Sequence, residues 1–371
     1  MPNVWQVRVK GGDGALAALL TGERGGFAGF SFMRNVNSAG AFALYMMRRA
    51  DETTTEFIDR TDLFELDGQI EFRRRWPEQG VNWQMEFEGL VRSREWYVNE
   101  NNVLMFAASG RGYLDLLHRR HIDAASGSPE AAKTGPAETI AKAYVTEQAG
   151  SGAAAARQIT GLSVQADGAA GSTVHITAPY KNLLGTLREI ARLGDGDFDV
   201  VGTGAATYEF RWYDGQRGTD RSSTVEFSYE RGNMGAPRLT RARHDEINAV
   251  LVAGQGHASD RETVWRTTDT LIDDSTWNRI EGFKDQRDEP NTDGLNDAGD
   301  VVLDEHKPRA VLSFEPLQTP GMLLGKHYFF GDKVAVQFLE YSATQKVKGY
   351  TWTVNESTGP GGQVTVELAD V

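Results

Sequence analysis

The chain has no cysteine among its 371 residues, which removes disulfide frameworks, thiol nucleophiles and cysteine-ligated zinc together. It also lacks long hydrophobic runs. None reaches the roughly eighteen residues of a bilayer-spanning helix, and the first ten residues carry Trp5, Gln6 and Arg8 where a leader would be apolar. Synthesis and folding in a cytoplasm are expected. Positive charge is in deficit: 39 Lys and Arg stand against 52 Asp and Glu, a formal net charge of −13. A whole-surface attraction to nucleic-acid phosphate is not expected of such a chain. Phosphate loops are missing too, because Gly321-Met-Leu-Leu-Gly-Lys-His327 is one residue short between its glycines and has His where the hydroxyl should be.

What is present suits a folded protein of two or three domains, with 40% hydrophobic and 25% charged residues. The first hundred residues alternate with period two. Phe30 and Phe32, then Phe42, Leu44 and Met46, flank the turn-rich stretch 35–40; Ile70 and Phe72 follow Asp67-Gly68, and Trp83, Met85 and Phe87 precede Trp96 and Val98. Short antiparallel strands at this spacing predict a sandwich or barrel. Tyr113, Leu116, Leu117 and Arg120 change to helical spacing. A second helix is expected from Pro136 to about Gln148 and a third from Asn182 to Leu193, ending at Gly194. The stretch 123–135 reads as an exposed connection, and 149–157 is low in complexity and expected to be mobile. Strand alternation returns from Phe198 to Tyr229.

A weak repeat links the two ends. Asp67-Gly-Gln-Ile-Glu-Phe72, Glu88-Gly-Leu-Val91, Trp96-Tyr-Val-Asn-Glu100 and Val103-Leu-Met-Phe106 recur in order as Asp332-Lys-Val-Ala-Val336, Lys348-Gly-Tyr-Thr351, Trp352-Thr-Val-Asn-Glu356 and Val364-Thr-Val-Glu367. Two copies of one barrel would produce this order; the general likeness of β-meanders is the competing explanation.

These segments resemble the siphophage tail-hub family called Gp37-like, related to the baseplate hubs of contractile-tailed phages. The resemblance is carried by Gly89-Leu-Val91, Gly110-Arg-Gly-Tyr-Leu-Asp-Leu-Leu-His-Arg-Arg-His-Ile122, Asn182-Leu-Leu184, Asp197-Phe198, Phe210-Arg211, Asp220-Arg221, Phe227-Ser228, Val252-Ala-Gly-Gln-Gly256 and Gly331-Asp332-Lys-Val334. It implies a β-rich α+β fold with two tail-tube-like antiparallel β-barrels and a peripheral α/β domain. The expected division is 1–121 for the first barrel, 122–236 for the peripheral domain, 237–266 and 320–371 for the second barrel, and 267–319 for a peripheral insertion with a helix. It further implies a virion structural protein at the tail tip, a homotrimeric ring that joins a six-fold tube to a three-fold tip. Its partners would be further copies, a distal tail or tube protein and a fibre or tip protein, with genome DNA passing during ejection without specific binding. A net acidic inner wall is expected from the net charge.

No catalytic, cofactor-binding or metal-binding residues are expected. Asp195, Asp197 and Asp199 begin like a calcium loop, but Val200 and Ala206 occupy its required glycine and closing carboxylate positions. A polar loop is expected there. Glu289, Asn291, Asp293, Gly294, Asp297 and Asp300 fit the template better, against Pro290 at the entry and Asn296 at an apolar position, so a solvated loop before a helix at 301–306 is expected. His118 to His121 and Arg73-Arg-Arg75-Trp76 read as structural or subunit contacts, the latter as a solvated strand end. A cell-wall hydrolase would need a carboxylate pair in a cleft, and a carbohydrate-binding module would draw on the eight Trp. Trp5, Trp83, Trp96 and Trp352 instead fall on strand alternation and are expected in the core or at a barrel interface.

Overall fold

The computed structural model describes residues 3–22, 26–124, 130–257, 260–289 and 291–370. The chain divides into two compact units, one made of 1–174, 178–235 and 315–371, the other of 175–177 and 236–314.

The first unit starts with β1 (Val4–Lys10), β2 (Leu16–Thr21), β3 (Gly29–Asn35), β4 (Ala41–Met47), α1 (Thr54–Asp62), β5 (Gln69–Trp76), β6 (Val81–Val98), β7 (Leu104–Gly112) and the single turn α2 (Asp115–His118). Helix α1 gave no apolar stripe to read. Its signal is the capping box, in which the Thr53 hydroxyl accepts from the Glu56 N–H while Glu56 accepts from the Thr53 N–H. Next come β8 (Ala132–Pro136), α3 (Ala137–Gln148), β9 (Leu162–Val164), β10 (Thr173–Thr177), α4 (Leu183–Leu193), β11 (Gly196–Gly204), β12 (Thr207–Asp214) and β13 (Glu226–Ser228). The expected helices at 136–148 and 182–193 are present, the latter capped by the Asn182 side chain on the Gly185 N–H. The Ala/Gly stretch after α3 is a hydrogen-bonded turn and not a loose one. Gly150 and Gly152 donate to Val145 and Thr146, Ile159 to Ala149, and Ala149 and Ala153 are buried. Small side chains let the backbone close tightly there.

The remaining elements are β14 (Met234–Ala242), β15 (Ala249–Ala253), β16 (Thr263–Thr267), α5 (Asp269–Ile272), β17 (Glu281–Asp285), α6 (Thr292–Glu305), β18 (Arg309–Pro316), β19 (Lys333–Phe338), β20 (Tyr341–Val354) and β21 (Gln363–Asp370). The fold is therefore β-rich α+β.

One eleven-stranded sheet, ordered β13-β19-β20-β3-β4-β7-β6-β5-β1-β2 with β21 on β20, runs through the first unit. It is open, ending at β2 and β13. The two ends of the chain meet inside it, since β20 pairs with β3 from Gly349 opposite Asn35 to Val354 opposite Phe30. Their core is shared: Trp5 lies 5.1 Å from both Phe30 and Trp352, and Phe32 lies 5.5 Å from Phe87 and 6.2 Å from Tyr350.

The segments of the repeat form two meanders, β5-β6-β7 and β19-β20-β21, each with a long middle strand, of 18 and 14 residues, that changes partner part-way. Strand β6 pairs with β5 over 81–90 and with β7 over 89–98; β20 pairs with β19 over 341–346 and with β21 over 345–353. Each has a bulge on its second pairing and a glycine close by. A Cβ on Gly89 would stand within 3.0 Å of the Arg111 carbonyl, and one on Gly349 within 3.0 Å of the Asn35 side chain and the Arg34 carbonyl.

Two groupings differ from those expected. Residues 249–253 and 263–267 do not join 333–370; they pair with 281–285 in a separate sheet ordered β16-β15-β17. The cause is packing, because Val250 and Val252 bury one face of that sheet against Leu295 and Leu303 of α6. Residues 226–228, expected in the peripheral segment, add β13 to the large sheet by parallel pairing with β19.

Candidate functional site

The turn between β3 and β4 sits in a dense polar cluster of the first unit. Asn37 adopts φ 57°, a left-handed conformation that Asn tolerates. From there its Oδ1 accepts the Phe198 N–H at 2.8 Å, its Nδ2 donates to Asp197 at 3.2 Å, and its carbonyl accepts from Arg188 at 2.8 Å. Asp197 also accepts the Arg217 N–H at 2.8 Å and Lys346 at 2.6 Å. Asp199 takes Arg217 at 2.8 Å and Arg34 at 3.3 Å, and both guanidiniums lie over the Phe330 ring, at 5.0 and 4.5 Å. Burial opposes the charge on Arg34, but Tyr350, Asp199 and Glu88 outweigh it and hold that side chain above its ordinary range.

A cavity of about 340 Å³ opens beside this cluster, lined in part by Arg34, Asn35, Glu88, Tyr113, Asp199 and Arg217. Burial pushes the Glu88 carboxyl up against the Gly202 N–H, which donates to it at 2.8 Å. Asp199 and Glu71, which add to that rise, are themselves ion-paired, Glu71 with Lys10 and Arg8. With its carboxylates committed to cations or backbone, the cluster fastens β3, β11 and β20 into one joint.

The second feature is the outward face of the sheet from β21 to β6. Paired positions form rows: Gln363, Thr353, Ser31, Ala43, Ser109 and Ser93 in one, with Tyr45 and Ala107 beside it. Inward neighbours such as Phe30, Phe42, Leu44 and Val364 are buried. The row from Gln363 to Ser93 itself carries no charged side chain; the charges around it are the Lys348–Glu367 pair, at 3.5 Å, Glu95 on β6, and Arg111, two residues beyond Ser109 on β7 and paired with Asp115 at 3.7 Å. The row spans six strands without a charge on a chain of net charge −13.

The model of the Siphovirus ReqiPepy6 Gp37-like protein family matches residues 13–366. The chain belongs to this family. It is a family of phage-tail structural proteins, and no catalytic family is indicated. Solved structures with the fold of this Gp37-like chain include the 43 kDa tail protein of prophage MuSo2 from Shewanella oneidensis, with TM-score 0.65, 12% identity, and 99% of this chain and 98% of that one covered. A tail protein from Neisseria meningitidis MC58 matches with TM-score 0.58, 15% identity and coverage of 99% and 96%. A chain of the half-lidded Francisella PdpA-VgrG complex matches with TM-score 0.56, 8% identity and coverage of 99% and 58%. No curated protein matches the sequence.

The residues singled out in the sequence of the Gp37-like chain fall partly into the expected roles and partly into others. In Arg73-Arg-Arg75, Arg74 is no solvated strand end: strand alternation turns it inward, where it pairs with Glu86 at 2.8 Å and donates to Asn3 and to the Leu324 carbonyl. Asp197 and Asp199 lie on β11 and hold the joint instead of a polar loop. His118 to His121 are structural: Arg119 bridges Asp115 and Asp67, and Arg120 donates to the Arg157 carbonyl. Residues 292–305 are helix, so Asp293, Asp297 and Asp300 ride on α6 and do not converge as loop ligands. Asp300 takes Arg266 at 2.7 and 2.9 Å, and Glu289 accepts the Asn291 N–H. Pro290 lies outside the described residues. Among the described residues no group of three or more His, Asp or Glu could hold a metal ion. Trp5 and Trp352 are core residues, whereas Trp96 is partly exposed and donates to Thr61.

Proposed function

We propose that three copies of the chain close into a ring at the tip of the tail, each supplying two tube-like modules, so that six similar surfaces meet a six-fold tube and three chains meet the tip. The two meanders β5-β6-β7 and β19-β20-β21 support this reading by their common order, long middle strands and glycine-marked bulges. Residues 1–121 would build the first module and 320–371 the core of the second. The distal tube protein would contact one rim and a fibre or tip protein the other. The ring is structural and has no hydrolytic role.

The neutral sheet face carries the proposal, as the wall past which DNA slides. A polyanion moves freely only where no unpaired Lys or Arg holds its phosphates, since every such contact must be broken again. On this reading the wall is neutral, not acidic as the net charge alone suggested. The test is to place Ala43→Lys and Ser109→Lys on this face in an intact phage. Tails should assemble normally while DNA release slows, most at low salt. Unaltered release, or failed assembly from a disrupted protein contact, would contradict the assignment.

A further inference from the structure

The sheet of the second unit has one face on α6; on its other face the positions of the two flanking strands are exposed, while Ala249 and Ala253 of the central strand are buried between them and Leu251 is partly exposed. The outward positions form a three-by-three grid. Leu251 on the central strand pairs with Trp265 on one side and Phe283 on the other, so the three apolar side chains form a row across the sheet. Trp265 is 46% and Phe283 62% exposed. Thr263, Ala253 and Asp285 form the row on one flank, and Thr267, Ala249 and Glu281 the row on the other.

Charge defines what this face can take. The two carboxylates of the grid are both engaged: Asp285 pairs with Arg261 at 2.5 Å and Arg287 at 2.9 Å, and Glu281 with Arg279 at 2.7 Å. Arg279 also stacks on Trp265, 5.3 Å from its ring centre. No unpaired charge is left among the grid positions, which suits a ligand that is neutral and rich in C–H and O–H groups. Spacing narrows the class. Trp265 and Phe283 sit two strand separations apart, roughly 10 Å, which is about the repeat of a β-1,4-linked disaccharide, whose alternate sugars present the same C–H face. A third aromatic, Trp277, is 89% exposed. It stands beside Asn278, whose amide donates to Leu271 and Glu246 while its carbonyl accepts from buried Asn248. A ring presented on a fixed backbone loses little freedom on binding.

We propose that this grid binds a β-1,4-linked glycan chain, with Trp265 and Phe283 stacking on sugars i and i+2. The full-length protein would be titrated with N-acetylglucosamine hexamer by calorimetry and tryptophan fluorescence. Saturable binding is expected, weakened about tenfold or more by Trp265→Ala and by Phe283→Ala, partly retained in Trp265→Tyr, and unchanged by Tyr180→Ala, an exposed aromatic outside this unit. Thermal melts of each variant separate lost binding from lost folding. Absence of binding by the unsubstituted protein at millimolar hexamer would overturn the proposal, as would binding that survives both alanine variants. A change in sedimentation of the alanine variants without any change in glycan binding would show a protein contact and overturn it equally.

Discussion

A guanidinium with 1% of its side chain exposed persists only where its charge and its donors are both met. Arg74 meets them with Glu86, Asn3 and the Leu324 carbonyl, and lies 5.0 Å from the Trp352 ring centre. Because Leu324 and Trp352 come from the far end of the chain, this one residue ties the N-terminal strands to the C-terminal ones. Arg74→Ala leaves Glu86 buried and unpaired and is expected to cost about 3–5 kcal/mol in denaturant unfolding. Arg74→Met combined with Glu86→Leu should cost much less, since it removes both charges. Glu88 gives a pH signature. Its carboxyl is raised by burial, so the folded state holds the proton more tightly than the unfolded one. Stability from this residue is complete below the usual carboxylate range and falls as pH rises through the elevated value. Glu88→Gln should therefore raise the melting temperature at neutral pH, and the gain should vanish on acidification; an equal gain at every pH would show that ionisation is not the cause.

At the scale of elements, the caps are the most legible features. Asn182 caps α4 and also donates to the His118 and Arg120 carbonyls, at 2.6 and 3.3 Å. Asn182→Ala should cost at least about 1 kcal/mol, measured as a shift in denaturant midpoint. The helices at 137–148 and 183–193 were readable because Pro136, Asn182 and Gly194 mark their ends and Leu183, Leu184, Leu187 and Ile190 supply a period of 3.6. Helix α6 was mostly missed. Its buried side, Leu295, Gly299 and Leu303, is sparse, and the acidic residues between them imitate a cation loop. Strand alternation located most strands yet gave no pairing, because period two fixes which residues face inward and not which strand lies alongside. The pairing of β3 with β20 has a direct consequence. A fragment of residues 1–121 loses the partner of β3 and the Trp352 side of the core, so it should lack a cooperative thermal transition, whereas adding residues 320–371 in trans should restore one.

At the scale of the molecule, the order of the repeat was legible because its markers, Gly89 and Gly349, stand near bulges where a Cβ has no room. Gly349→Ala should lower the melting temperature, with a cost of about 1–3 kcal/mol typical of overpacking. The joint around Asp197 and Asp199 was not legible, since its partners Asn37, Arg217 and Lys346 are far apart in sequence. Nor was the neutral face, which exists only once the strands are in register. That face and the two meanders together make the central claim, a trimeric ring whose wall leaves no unpaired cation to hold DNA, since Lys348 and Arg111 at its edges are matched by Glu367 and Asp115. The most direct measurement is a symmetry-resolved cryo-electron microscopy map of the assembled tail tip. The account predicts three copies in a closed ring, with the Ser31, Ala43 and Ser109 row facing the channel. Six copies, or that row buried against another protein, would contradict it.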